Sequence, residues 1–249
     1  MSTRTGYVSE IFASFQGEGK WVGRRHLFVR MAGCNIRCRY CDTPDSLKPV
    51  PQCLVYLEDG EVREVGNPLT PAALNNLLYP WQQQESGLHA LALTGGEPLS
   101  QTEFLREWLM QAQLDLPVLL ETNGTYPEKL KRLLPWIDIV SMDIKLPSNS
   151  GERAFWKEHE EFLRASVDKD VYVKMPVDGG TSPEEVETGV RLIARVSRHI
   201  PLYLQPLVSY PEEAFLISPE RLSAFYTLAC RYLNEVRVLP QIHKVLGIR

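Results

Sequence analysis

Three of the five cysteines lie close together in the chain, in a spacing that could bind a metal centre. Cys34, Cys38 and Cys41 form the pattern C-x3-C-x2-C. A cubane 4Fe–4S cluster needs ligands at four irons, so three thiolates from one loop would leave the fourth iron open. An open iron can chelate the amino and carboxylate groups of a small molecule and pass an electron to it. The spacing therefore indicates redox chemistry at a 4Fe–4S cluster.

Two other kinds of site use clustered cysteines, and the sequence favours them less. A structural zinc ion takes four ligands, usually as two pairs, but a second C-x2-C is missing and His26 is the only histidine near the triad. A thioredoxin-like redox site needs two cysteines rather than three. A non-catalytic zinc-binding module stays open as an alternative. Cys53 and Cys230 are isolated in the sequence, and we interpret them as small apolar packing residues.

Predicted strands and helices alternate along the chain, which is typical of a parallel α/β fold. The strands are predicted at residues 26–31, 88–94, 117–121, 137–144, 171–175 and 202–205, with a short last one at 236–239. Helices are predicted at residues 100–113, 128–134, 152–166, 182–198 and 219–234, the first capped by Ser100 and the fourth by Ser182. About six strand–helix units are too few for an eight-stranded barrel of ordinary size. We therefore expect an α/β fold, a partial (β/α) barrel of about six parallel strands.

Polar side chains stand where several of the predicted strands end. They include the segment 94–98, Glu121, Asp143, Lys145 and Gln205. Ligands of parallel α/β folds bind at the carboxyl ends of the strands. The sequence therefore predicts a site at that end of the sheet, next to the cysteine loop.

One stretch interrupts the alternation of strands and helices. Residues 48–71 read as an insertion, and Asp59-Gly60 between two short apolar runs is a hairpin signal. The insertion follows the cysteine loop directly, so it could either cover the site or face solvent as a decoration. We expect a single domain over residues 1–249, with this hairpin insertion and a C-terminal tail at 236–249.

The composition excludes several classes of protein. The chain has 249 residues, 44% of them hydrophobic, and a formal net charge of −4, which argues against a nucleic-acid or anionic-membrane surface. No apolar run reaches the length of about 18 residues that a membrane span needs. The polar first residues lack the apolar stretch of a signal peptide. We expect a cytoplasmic protein without nucleic-acid or membrane partners.

Two motifs together resemble a known superfamily. The C-x3-C-x2-C pattern follows the first predicted strand, and Gly95-Gly96-Glu97-Pro98 follows the second. This combination resembles the radical S-adenosylmethionine (SAM) superfamily, and it implies a radical SAM type of partial barrel with a 4Fe–4S cluster and SAM as cofactors. The resemblance further implies that SAM contacts Tyr40, Gly95, Gly96, Glu97, Ser141, Asp143, Lys145 and Gln205.

Three further segments narrow the resemblance. They are residues 10–19, residues 28–35 with Cys41-Asp42-Thr43, and residues 241–249. Together they resemble the 7-carboxy-7-deazaguanine synthases of queuosine and 7-deazapurine biosynthesis, from Ser9 to the chain end apart from the insertion. The resemblance implies a lyase that converts 6-carboxy-5,6,7,8-tetrahydropterin to 7-carboxy-7-deazaguanine and releases ammonia. SAM would generate the radical, so no side chain is assigned as a catalytic acid or base.

The same resemblance implies roles for particular residues and partners. Thr43 would be the protein ligand of Mg2+, a hard cation that prefers oxygen ligands. The substrate would contact Gln16, Glu18, Arg30, Glu121, His243 and Arg249. A low-potential electron donor, flavodoxin or ferredoxin, and a homodimer are also expected. The alternative is a glycyl-radical activating enzyme that acts on a protein partner, because Asp143-x-Lys145 resembles a motif of those enzymes.

Overall fold

The computed structural model describes residues 4–82, 87–209 and 214–248, and these form one ten-stranded sheet with helices packed on it. The strands are β1 Val8–Phe15, β2 Arg25–Met31, β3 Gln52–Tyr56, β4 Val62–Gly66, β5 Ala90–Gly95, β6 Val118–Thr122, β7 Ile139–Asp143, β8 Asp170–Val177, β9 Leu202–Pro206 and β10 Val236–Val238. The helices are α1 Pro71–Gln82, α2 Thr102–Leu109, α3 Pro127–Lys131, α4 Pro147–Ser150, α5 Trp156–Ser166, α6 Pro183–Val196, α7 Pro219–Cys230 and α8 Ile242–Leu246. Among the described residues, none of these helices has the length and apolar character to cross a membrane.

The sheet follows the strand order β10-β9-β8-β7-β6-β5-β2-β1-β3-β4. From β2 through β5 to β10, each strand is parallel to its neighbour. The predicted α/β fold with a run of parallel strands and a partial barrel is therefore confirmed, and its short last strand is β10.

Side chains alternate between the two faces of the sheet, and this produces two apolar clusters. Leu91 and Leu93 of β5 belong to the larger cluster, which the helices cover. Ala90 and Ala92 belong to a smaller cluster that draws its fully buried members from strands, among them Tyr172 and Tyr203. The smaller cluster fills the inner face of the sheet below the strand ends. A site at those ends therefore stands on a packed apolar floor.

Strand β1 was not predicted, although the motif at residues 10–19 lies partly on it. It pairs antiparallel with β2 and parallel with β3, so it joins the parallel strands to the hairpin. Ile11 and Phe12 are buried, whereas Glu10 is only half-buried. The strand therefore mixes buried apolar residues with polar residues of the motif. The polar residues interrupt the apolar pattern that would have predicted a strand.

The segment at 48–71 contains an antiparallel pair, β3 and β4, joined by the turn at Asp59-Gly60. Cys53 and Val55 on β3 are almost completely buried. Residues 50–52 and Leu54 line the cavity described below. The hairpin is therefore part of the core and one wall of the site, rather than a decoration that faces solvent.

Two helix caps were predicted, and one of them is wrong. Ser182 caps α6 by accepting a hydrogen bond from the backbone N–H of Glu185. Ser100 does not cap a helix, because a short 3-10 turn at 98–101 precedes α2 and Glu97 caps that turn. The buried Glu97 carboxylate accepts from the Leu99 N–H, which moves the start of the helical segment to Pro98.

Candidate active site

Side chains at the carboxyl ends of the parallel strands surround one cavity of about 690 Å3. This volume lies within the range of small-molecule sites. Most of the predicted site residues line it: Gln16, Glu18, Arg30, Cys34, Cys38, Tyr40, Cys41, Thr43, Gly95, Gly96, Glu121, Asp143, Lys145, Gln205 and His243. The cysteine loop and the predicted substrate residues therefore share a single space.

The cysteine loop leaves the end of β2 and is held by backbone hydrogen bonds. The Gly33 N–H donates to Ser46 O at 2.8 Å, and the Cys34 N–H donates to Leu47 O at 3.2 Å. All three thiols of the triad are free and half-buried at the cavity. Burial raises the pKa of Cys38 to about 11 and also raises that of Cys34. Thiolates in this place need a neighbouring cation, so the donor set fits an iron–sulfur cluster.

Gly95 and Gly96 bring the end of β5 against the cysteine loop. The Gly96 N–H donates to Met31 O at 3.0 Å, and the Glu97 N–H donates to Gly33 O at 2.8 Å. A Cβ on Gly96 would lie 2.4 Å from Gly33 O, so only glycine permits this approach. The two glycines thus form a backbone joint between the strand end and the loop.

The Glu97 side chain is buried in the protein interior and is not among the described residues that line the cavity. Its fully buried carboxylate accepts from Thr122 Oγ1 at 2.9 Å and from the Asn123 N–H at 2.8 Å, besides the cap at Leu99. Burial raises the pKa of Glu97 to about 7, against the opposing effect of these backbone N–H bonds. The predicted contact of Glu97 with SAM therefore has no support from its side chain, which ties β5 to β6.

One more predicted residue is not among the described residues that line the cavity, and another falls outside the described part of the chain. Ser141 is completely buried within β7, two residues before Asp143 at the strand end. Arg249 lies outside the described residues. Their predicted contacts, with SAM and substrate respectively, stay predictions.

Lys145 and Asp143 form an ion pair beside Tyr40. The Lys145 ammonium donates to Asp143 Oδ2 at 2.8 Å and lies 5.4 Å from the centre of the Tyr40 ring. Burial alone lowers the pKa of Lys145, but Asp143 outweighs it and the pKa lies well above its usual value. The cation is therefore fixed on the side of the cavity that holds the cysteine loop.

Hydrogen bonds to neighbouring side chains orient several of the predicted pterin residues. Glu121 accepts from Gln16 Nε2 at 2.8 Å and from Thr94 Oγ1 at 2.6 Å. Arg30 donates through Nε to Glu10 at 2.8 Å, so Glu10 orients its guanidinium. Sequence reasoning gave no role to Glu10 or Thr94, although Glu10 lies in the motif at residues 10–19 and Thr94 in the polar segment 94–98.

Lys174 on β8 is a charged site residue that the sequence analysis missed. Its ammonium pairs with Glu18 and lies 3.4 Å from Asp143 Oδ1, and the side chain is only 4% exposed. Burial opposes both charges, yet the pairing lowers the pKa of Glu18 and raises that of Lys174. The signal that could have identified it is a lysine among the apolar residues of the strand predicted at 171–175.

The C-terminal segment closes one side of the cavity. Gln241 Nε2 donates to Glu18 Oε1 at 2.6 Å and to Asp42 Oδ2 at 2.7 Å. The Ile242 N–H donates to Gly17 O at 2.9 Å, and the His243 ring packs against Gly17. Gln241 of the tail therefore bridges Glu18 and Asp42, the residue after the last cysteine of the triad.

Ligand atoms of Glu18, Asp42 and His243 lie within 4.8 Å of one another. Oxygen and imidazole donors of this kind can hold a divalent metal ion. Thr43 follows Asp42 and also lines the cavity. Carboxylate oxygens that could bind a cation are therefore present on Asp42, next in sequence to Thr43, the residue that the resemblance expects to bind Mg2+.

The fold, the cysteine loop and a family model define the class of this protein. The model described as "Radical SAM superfamily" matches residues 28–199. The solved structure titled "Crystal structure of QueE from Escherichia coli" has a TM-score of 0.58 at 20% identity and covers 96% of this chain and 95% of that one. A structure of TYW1 with a lysine-pyruvate adduct has a TM-score of 0.51 at 12% identity, covering 84% and 74%. These structures share the fold.

Full-length relatives give the narrower assignment. A 7-carboxy-7-deazaguanine synthase of Geobacter sulfurreducens is 38% identical over 99% of both chains. One of Methanopyrus kandleri is 33% identical and covers 96% of this chain and 92% of the relative. The chain belongs to the 7-carboxy-7-deazaguanine synthase family. The resemblance predicted from the sequence motifs is confirmed.

Proposed function

We propose that this protein is a radical SAM lyase that converts 6-carboxy-5,6,7,8-tetrahydropterin to 7-carboxy-7-deazaguanine and releases ammonia. The observation that carries the proposal is the shared cavity, which brings the cysteine triad together with the predicted pterin residues of three distant segments. When bound, the cluster and SAM supply the radical chemistry that amino-acid side chains cannot. The protein's own residues bind, orient and shield the substrate.

The side chains suit a small anionic heterocycle. Arg30 faces the cavity and can hold the substrate carboxylate through its guanidinium. Glu121 is an acceptor pair for the amino and ring N–H groups of a pterin. Gln16 and Glu18 can bind further polar edges, and His243 approaches from the C-terminal segment. The family relationship does not favour the glycyl-radical activating alternative, and Asp143 and Lys145 lie inside this same cavity.

We also propose that Mg2+ binds at Thr43. Thr43 and Asp42 both line the cavity, and a hydroxyl and a carboxylate are hard oxygen donors. A small cation with several waters would fit such a half-exposed place. Removal of Mg2+ with a chelator that spares the cluster should reduce turnover, and Mg2+ should restore it.

Two partner assignments belong to the proposal. A cluster that cycles through reduction needs a low-potential donor, for which flavodoxin or ferredoxin is suitable. A homodimer is expected from the resemblance, and light scattering of the purified protein would measure the oligomeric state.

Anaerobic reconstitution provides the test of the function. The protein should bind about four irons per chain and, with SAM, Mg2+, a reductant and the carboxytetrahydropterin, form 7-carboxy-7-deazaguanine that mass spectrometry detects. Cys38→Ala should lose the cluster and the product, whereas Cys230→Ala, at an exposed cysteine far from the triad in sequence, should keep both. A reduced, iron-replete protein that forms no product under these conditions would refute the assignment.

A further inference from the structure

Gln241 is a buried amide to which the sequence analysis gave no role. It follows β10, precedes α8 and is 5% exposed. Its side-chain NH2 group has two hydrogens, and it donates to Glu18 at 2.6 Å and to Asp42 at 2.7 Å. The two acceptors come from different parts of the chain, the turn after β1 and the residue after the last cluster cysteine. Gln241 therefore connects three segments.

The chemistry of this bridge requires an amide. Two carboxylates that approach one another repel, and a neutral group with two donors between them satisfies both without adding charge. Lys174 pairs with the other oxygen, Glu18 Oε2, and Gln205 Nε2 donates at 3.2 Å to Oε1, the same oxygen that accepts from Gln241. Glu18 is thus held by residues of the sheet and of the tail.

The bridge also determines where the tail lies. The N–H of Ile242, the next residue, donates to Gly17 O, and His243 packs so closely that a Cβ on Gly17 would lie 2.2 Å from His243 Nδ1. Lys244 lies 3.5 Å from Asp42 Oδ2. Movement of Gln241 would therefore displace His243 from the cavity wall.

We propose that Gln241 is a positioning residue that fixes Glu18 and seats the C-terminal segment over the substrate, through its bridge between Glu18 and Asp42. The inference rests on the proposed function, because it takes Glu18 and His243 as pterin contacts. Gln241 acts through these neighbours and does not itself touch the reacting atoms.

Two substitutions and a control test the bridge. Gln241→Leu keeps the approximate size of the side chain and removes both donors. Gln241→Glu adds a third carboxylate beside Glu18 and Asp42. Val245→Ala is the matched control, because Val245 lies on α8 and is 70% exposed. Iron content and circular dichroism would establish that each variant is folded and carries its cluster.

The expected effect is on substrate binding more than on the chemical step. Gln241→Leu should raise KM for the carboxytetrahydropterin about tenfold or more, with kcat changed much less, because two hydrogen bonds to charged groups are lost. Gln241→Glu should raise KM at least as much as Gln241→Leu, because it places a third carboxylate where Glu18 and Asp42 both need a donor. Val245→Ala should match the wild type in both.

Amide hydrogen exchange gives a readout that does not depend on activity. Exchange in residues 242–248 should be about tenfold faster in Gln241→Leu than in the wild type and unchanged in Val245→Ala. Wild-type exchange and wild-type KM in Gln241→Leu would overturn the inference. If the wild-type protein did not convert the pterin, the proposed function would fail, and the exchange measurement alone would decide whether Gln241 seats the tail.

Discussion

At the scale of single residues, the interior of the site depends on buried charges that are paired. Lys174 is almost completely buried and faces both Glu18 and Asp143. A buried charge is tolerated because its partner is present, and removal of one partner leaves the other without compensation. Lys174 therefore contributes to stability as well as to the charge of the cavity.

Lys174→Met should lower the free energy of unfolding by about 3–5 kcal/mol at pH 7, because Glu18 loses its buried cation, whereas Asp143 keeps Lys145. Urea unfolding of the two proteins would measure the difference. Lys20→Met is the control, since the Lys20–Asp170 pair is about one third exposed and such a pair is worth about 0–1 kcal/mol. Equal losses in both variants would contradict the special role of Lys174.

The same pair predicts how stability changes with pH. The lowered pKa of Glu18 gives stability that is present above its ordinary value of 4.5 and is lost as the pH falls through the folded value. The raised pKa of Lys174 gives stability that is present below 10.5 and is lost as the pH rises through the folded value. The difference in unfolding free energy between wild type and Lys174→Met should be nearly constant from pH 6 to 9 and shrink toward pH 4. A difference that grows toward pH 4 would exclude this pairing.

Sequence reasoning found the residues with a motif and missed those whose role depends on distant contacts. The cysteine triad is readable because its three members lie on one loop. Lys174 meets a residue 156 positions away, and Gln241 meets residues 223 and 199 positions away. Spacing along the chain carries no information about such contacts, so only the fold brings them into view.

At the scale of elements, the joint between β5 and the cysteine loop is the most constrained part of the site. Its hydrogen bonds run from backbone to backbone, and Gly96 lies against the carbonyl oxygens of both Gly33 and Ser46. Neither backbone oxygen can move away as a flexible side chain would. The loop that carries the cysteines is therefore positioned by the strand next to it.

Gly96→Ala should reduce the iron bound per chain after reconstitution and lower the unfolding temperature, because the added methyl group pushes Gly33 and the loop away from β5. Iron analysis and thermal unfolding would measure both effects. Gly66→Ala is the control, because no heavy atom lies within 4 Å of a Cβ at that glycine. Full cluster loading in Gly96→Ala would show that the loop is placed by other contacts.

The elements themselves were predictable to different degrees. The parallel strands were found because they are buried on both faces and read as continuous apolar runs. Strand β1 was missed because polar motif residues interrupt its apolar pattern. Helix α1, which follows the predicted insertion directly, was not predicted either. The helix predicted to begin at Ser100 begins at Thr102 and is preceded by a 3-10 turn at 98–101, because a buried acid, Glu97, accepts from the Leu99 N–H and caps that turn.

At the scale of the whole molecule, the site is formed by two groups of elements. The parallel strands place the cysteine loop and the charged pairs at their carboxyl ends. The turn after β1, the hairpin and the C-terminal segment then enclose the cavity from the other side. The cysteine loop is fastened by backbone bonds to Ser46, Leu47 and Ser150, none of which belongs to the tail. Cluster binding and substrate enclosure are therefore separable.

Truncation after Pro240 tests this separation. The shortened chain keeps β10 and its pairing with β9. Glu18 keeps Lys174 and Gln205, and Asp42, whose side chain is 40% exposed, can be solvated by water. We expect full iron content and continued reductive cleavage of SAM to 5′-deoxyadenosine. Formation of 7-carboxy-7-deazaguanine should fall by about 100-fold or more, because the substrate loses one wall of its site and its fixed orientation.

The ratio of the two products is the decisive measurement. In the wild-type protein and in Val245→Ala, the deazaguanine should accumulate with little free 5′-deoxyadenosine, because the family resemblance implies that SAM is re-formed in each turnover. In the truncated protein the ratio should reverse, because SAM is still cleaved while the pterin is no longer held in place. Loss of iron on truncation would show that the tail also supports the cluster loop. Unchanged deazaguanine formation would show that the strand ends alone position the substrate.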